Sequence, residues 1–228
     1  MDVRVNLQQV KERIARAAYR AGRDPRDITL VAVTKTVSAE IARQVYACGT
    51  KELGENRVQE LQKKYPLLPM DTVWHMIGHL QTNKIKYIID KTALIHSLDR
   101  MSLADEINRQ ALLLGKTVQV LVEVNISGEG SKFGIPICEA VEFVKCVNCL
   151  PGLTLRGLMT MAPYTDNPEE VRPVFRELKE LSKRISKEAT GINMDLLSMG
   201  MTNDFEVAVE EGATIVRIGT AIFDSDRN

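Results

Sequence analysis

A closed (β/α)8 TIM barrel with an extra N-terminal helix is the α/β fold that this chain of 228 residues predicts. The first observation is strict alternation, in which eight apolar strand candidates are separated by helical stretches. Such alternation implies a parallel sheet. The second is the turn after the first strand, Val33-Thr34-Lys35-Thr36-Val37-Ser38, which contains no glycine. An open doubly wound sheet usually carries a Gly-rich phosphate turn there, so eight units closed on themselves are favoured. The third is continuity: no composition break, linker or repeat divides residues 1–228, which are expected to form one domain.

An amphipathic segment from Leu7 to Ala21 comes first, ahead of the barrel units. The run 28–34, Ile-Thr-Leu-Val-Ala-Val-Thr, then suits a buried parallel strand. Ser38 opens the helical segment 38–48. Strands follow at 50–54, 72–76, 93–97, 117–124, 153–159, 193–197 and 213–217. The helices between them are expected at 56–65, 82–90, 100–114, 136–148, 168–189 and 203–211. In 82–90, Lys84 and Lys86, with Lys91 just beyond, oppose Ile85, Ile88 and Ile89, the pattern of a solvated face over a packed one. Residues 127–134, rich in Gly and polar side chains, suit a mobile loop above the barrel mouth, with Glu129 and Lys132 solvating it. Asn203 with Glu206 fits an N-terminal capping pair for the last of these helices.

Bulk composition excludes several classes. The chain is 44% hydrophobic and 26% charged, with 30 basic and 30 acidic residues and a formal net charge of zero. A nucleic-acid coat or a membrane-surface protein usually needs a basic excess. No apolar run approaches the roughly 20 residues that span a bilayer, and the N-terminus has no signal-peptide core, so a cytoplasmic location is expected. Cys146 and Cys149 have CxxC spacing, but without a second pair or matching histidines they are expected to be reduced structural thiols. His75 and His79 stand four apart on a strand end rather than a helix, so no metal site is expected. The nine methionines suit packing near strand ends.

Chemistry is expected where the strands end, since parallel α/β folds bind ligands at that mouth. Lys35 stands there, just past the first strand. Partial desolvation would favour its neutral amine, a candidate Schiff-base nucleophile. The loops after strands seven and eight often bind phosphate in barrels. Here they carry Ser198, Gly200, Thr202 and Asn203 in one, and Gly219 and Thr220 in the other. Each offers a glycine for close approach, a hydroxyl and N–H groups at a helix start. Arg217 shares a side with Gly219, facing either the ring of a phosphorylated cofactor or a carboxylate such as Glu52 or Glu123.

Five stretches together resemble one family: LVAVTKT (30–36), LGENRVQE (53–60), WHMIGHLQTNK (74–84), LSMGMTNDFEVAVEEG (197–212) and VRIGTAIF (216–223). They resemble the pyridoxal 5′-phosphate (PLP) homeostasis protein family, also called YggS/PROSC, in order and from about residue 5 to 224. The resemblance implies a PLP-binding barrel like the N-terminal domain of alanine racemase. It implies that Lys35 holds PLP as a Schiff base, that Arg217 faces the pyridine nitrogen, and that Ser198, Thr202, Gly219 and Thr220 surround the phosphate. It also implies that Asn56 and His75, from the loops after strands two and three, line the cofactor. Departures are Arg57, where an aromatic is frequent, His79, and the irregular end 224–228; none touches these contacts.

An arginine, always cationic, keeps the ring nitrogen unprotonated and weakens carbanion stabilisation. Only five residues follow Phe223, so the second domain that supplies a racemase with its other base is not expected. The expected function is therefore a PLP carrier or regulator in amino-acid metabolism, without robust catalysis. It would be a monomer and would hand the cofactor to PLP-requiring apo-enzymes. The alternatives are an amino-acid racemase, with His75 or Tyr164 as second base, and a PLP-free Schiff-base aldolase on sugar phosphates.

Overall fold

The computed structural model describes residues 2–130, 132–189 and 191–224. Helix α1 (Val3–Arg20) starts where the Asp2 carboxylate accepts from the N–H of Arg4 and Val5, at 3.0 and 3.3 Å. Its apolar positions Val3, Leu7, Val10, Ile14, Ala17 and Ala18 recur at three- and four-residue intervals and are all buried. The helix thus begins four residues before the sequence pattern suggests, because the cap lies at Asp2.

The barrel units follow. They are β1 (Thr29–Val33), α2 (Ala39–Ala47), β2 (Glu52–Glu55), α3 (Val58–Lys64), β3 (Val73–Met76), β4 (Leu94–Leu98), α4 (Met101–Leu113) and β5 (Val118–Asn125). Then come a two-residue strand β6 (Ile135–Pro136), α5 (Ala140–Asn148), β7 (Leu153–Met159), α6 (Arg172–Glu188), β8 (Leu196–Ser198), α7 (Phe205–Glu210), β9 (Ile215–Ile218) and α8 (Thr220–Phe223). Ser38 caps α2 as expected, accepting from the Ile41 N–H.

All pairings are parallel, and the ring runs β1-β2-β3-β4-β5-β7-β8-β9 before returning to β1. This is the eight-stranded closed barrel that the alternation predicts. The short β6 pairs only with the end of β5. Inside the ring, Val31, Leu94, Leu121, Met159 and Ile215 form an apolar cluster. A larger core fills the space between strands and helices, with Trp74, Phe175 and Phe205 among its fully buried side chains. Among the described residues no helix is long and apolar enough to cross a membrane.

Two local expectations are corrected. The 82–90 segment is a 3₁₀ helix, Thr82–Tyr87, with i→i+3 bonds such as Ile88 N–H to Ile85 C=O at 3.0 Å. Ile85 and Ile88, three apart, eclipse on one side of such a helix and are both buried, which suits the tighter turn. The N-cap of α7 is Asp204 rather than Asn203. Its carboxylate turns back to accept from the Met201 N–H at 2.6 Å, and Glu206 instead pairs with Arg13 of α1 at 3.2 Å. The four cysteines are free; Cys138, Cys146 and Cys149 are exposed, so they do not serve as packing groups.

Candidate functional site

Lys35 lies in the turn between β1 and α2, at the end of the barrel where the strands finish. A buried cluster fixes the residue before it. Lys64 Nζ donates to the Thr34 carbonyl at 2.6 Å and to Glu55 at 2.7 Å, while the Thr34 hydroxyl donates to Glu55 at 2.6 Å. Lys35 itself is exposed and, among the described residues, its amine has no hydrogen-bond partner. The expected partial desolvation is therefore corrected: β1 ends one residue short, at Val33, and the turn lifts the amine into solvent.

Arg217 is in register with Val31, and Val31 belongs to the lumen cluster, so the guanidinium enters the barrel from its inner wall. It is 3% exposed. Its Nη1 donates to Ser198 Oγ at 2.5 Å and its Nη2 to the Thr160 carbonyl at 2.9 Å. Burial lowers its pKa to about 10, opposed by the charges of Glu123 and Asp204, so it stays cationic at neutral pH. The carboxylates expected as its alternative partners stand elsewhere: Glu52 bonds His75, and Glu123 acts on the arginine through space.

The loops after β8 and β9 meet. The Thr202 hydroxyl accepts from the Ala221 N–H at 3.2 Å, and Thr202 and Thr220 share a cleft of about 770 Å³ with Asn6 and Arg13 of α1 and with Tyr164. Gly219 closes this rim against β1. A Cβ there would lie 3.1 Å from the Val33 carbonyl oxygen, two residues before Lys35. Gly200 has φ +92, and a Cβ on it would meet Ala208 at 2.6 Å, so α7 packs against bare backbone.

Thus Lys35, Thr202, Gly219 and Thr220 gather at one stretch of the mouth. Asn56, half-buried just after β2, stands beside Lys35, since Val33 pairs with Gly54 and the Thr34 hydroxyl reaches Glu55; it also lines a cleft of about 430 Å³ with Met76, His79 and Lys84. His75 lies within β3 rather than in the loop after it. Its side chain is buried in the lumen, where its ring nitrogens meet Glu52 Oε2 at 2.6 Å and His96 at 2.8 Å. Ser198 is also buried, between Arg217 and His96. His96 escaped the sequence reading, although a histidine inside the apolar run 93–98 was a signal for it. Thr160 carried none, since only its carbonyl is used.

The residues fit a phosphorylated aldehyde cofactor: an accessible amine, two hydroxyls beside close-approach glycines, and a buried cation on the lumen wall. A closed parallel barrel carrying this set at its mouth defines a class, the alanine racemase N-terminal domain, whose family model matches residues 5–226. The chain belongs to the pyridoxal phosphate homeostasis protein family. It is 50% identical to the pyridoxal phosphate homeostasis protein of Aquifex aeolicus, over 95% of each chain. A crystal structure of an unknown protein from Bifidobacterium adolescentis superposes with a TM-score of 0.91 at 35% identity, covering 97% of this chain and 94% of that one. PipY of Synechococcus elongatus, solved with PLP bound, gives 0.81 at 32%, covering 94% and 99%.

Proposed function

We propose that this chain binds PLP and serves PLP homeostasis, as one barrel domain that holds the cofactor and hands it to PLP-requiring apo-enzymes or regulates its level. The observation that carries this reading is the meeting of Thr202, Gly219 and Thr220 on the rim that also bears Lys35. PLP supplies an aldehyde that condenses with an amine. Lys35 offers that amine, and its exposure suits a cofactor that must be loaded and released. Thr202, Gly219 and Thr220 would hold the phosphate, with Ser198 behind them. Arg217 would face the ring nitrogen and keep it unprotonated. Asn56 would act at the lip beside Lys35, and His75 from further off, through His96.

The same geometry favours a role without robust catalysis. Of the two candidate second bases, His75 has both ring nitrogens engaged, and Tyr164 is 74% exposed with its hydroxyl 3.2 Å from Asp166. Neither faces Lys35 with a free proton acceptor. We infer further a monomer in the cytoplasm, acting within amino-acid metabolism.

The test is borohydride reduction after incubation with PLP, read by mass spectrometry of the peptide containing Lys35. The expected result is one PLP fixed per chain in the parent and none in Lys35→Ala. Fixation at parental stoichiometry in the variant would overturn the role of Lys35, and no fixation in the parent would overturn the function.

A further inference from the structure

Polar side chains inside an apolar lumen are costly unless each finds a partner. Here they are strung together. Arg217 donates to Ser198 Oγ at 2.5 Å, Ser198 Oγ lies 2.8 Å from His96 Nδ1, His96 Nε2 lies 2.8 Å from His75 Nδ1, and His75 Nε2 lies 2.6 Å from Glu52 Oε2. His96 is on β4 and Ser198 on β8, which do not pair. Their bond therefore crosses the lumen. At the far end Glu52, the first residue of β2, lines a cavity of about 530 Å³ with Pro25, Ile28 and Thr29, beneath the start of β1.

The chemistry of the groups gives this string one direction. The Glu52 carboxylate only accepts, so His75 carries a proton on Nε2 and donates it there. A neutral His75 then accepts at Nδ1 from Nε2–H of His96, and a neutral His96 accepts at Nδ1 from the Ser198 hydroxyl. Arginine only donates, so Ser198 Oγ meets Arg217 with a lone pair. Burial, with the charge of Arg217, holds His96 well below the ordinary histidine value and so in its neutral form. Both tautomers are thereby fixed from the Glu52 end of the string.

We propose that Glu52, His75, His96 and Ser198 are positioning residues that act as one polarised hydrogen-bond chain, holding the Arg217 guanidinium in the orientation that meets the cofactor ring. The last clause rests on the PLP reading; the chain itself does not. Glu52 is the anchor. Its side chain is 33% exposed, so it can be changed without opening the core.

The experiment compares the parent with Glu52→Leu, which removes the acceptor, and Glu52→Gln, which keeps an acceptor oxygen at the same place. In the PLP-free proteins, nitrogen-15 NMR of the histidine rings should find protons on Nε2 of both His75 and His96 in the parent. Glu52→Leu should mix the tautomers of His96, a residue that Glu52 does not touch, and Glu52→Gln should restore them. Protons on Nδ1 in the parent, or a His96 unmoved by Glu52→Leu, would overturn the chain. In the PLP-loaded proteins, Glu52→Leu should speed cofactor release about tenfold and shift the absorbance of the bound cofactor, as loss of one aligned buried hydrogen bond implies, with Glu52→Gln close to the parent. Unchanged release and absorbance would overturn the positioning role while leaving the function intact. A parent with the expected tautomers that takes up no PLP would instead sink the proposed function and support the chain.

Discussion

Glu123 is a carboxyl with almost no water around it: 2% of the residue is exposed, on the inner wall of β5. Burial raises its pKa from an ordinary 4.5 to about 7, helped by the charge of Asp99 and opposed by Arg217. Between those values the folded protein keeps a proton that the unfolded chain has released. Stability must then fall as pH rises through that window, by up to about 3 kcal/mol once pH exceeds 7. Glu123→Gln, which cannot ionise, should match the parent near pH 4 and exceed it near pH 8. Urea denaturation at the two pH values checks this, and parallel pH dependences would refute it. Lys35 teaches the complementary lesson. Its place past β1 was legible from the apolar run before it, but its exposure was not, because that depends on where the strand's last ladder bond falls.

At the scale of elements, β7 depends on one atom's absence. Gly157 has φ +152, and a Cβ there would lie 1.8 Å from the Leu196 carbonyl oxygen on β8. Gly157→Ala must therefore push β8 away or break the pairing Gly157↔Leu196. The expected cost exceeds about 4 kcal/mol, the range reserved for a broken backbone packing, seen as a large fall in the thermal midpoint or loss of folded protein. An alanine variant with the parental midpoint would show that the sheet yields there. Most elements were legible from periodicity: the strand expected at 28–34 is β1, 153–159 is β7, and 100–114 contains α4. Those misread turn on choices that periodicity does not encode. Isoleucines at 85, 88 and 89 satisfy either helix type, and neighbouring Asn203 and Asp204 both suit one cap position, which Asp204 takes while its carboxylate bonds back to Met201. The lumen chain was hidden for a further reason: His96 and Ser198 lie 102 residues apart and meet only because the ring closes.

For the molecule as a whole, packing is unevenly distributed around the mouth. Strand β5 is almost wholly buried from Val118 to Val124, whereas Gly128, Glu129, Gly130 and Phe133 above it are exposed. The loop rests on few contacts, among them Phe133 stacked on His79 at 4.1 Å and the Asn125 amide donating to Glu129 C=O at 2.9 Å. Amide hydrogens of the described residues in 127–134 should exchange orders of magnitude faster than those of β5 and β7, whose exchange should require global opening. Hydrogen-exchange mass spectrometry measures both, and a protected loop would contradict the expectation that it moves.

The join between β4 and β5 carries one more implication. Each of the ring's eight strands has a neighbour on either hand, so none presents a bare ladder to which an extended segment of another protein could be added. Apart from the two-residue β6, the described strands give crowded copies no template for edge-to-edge growth, so recognition falls to helices, turns and side chains.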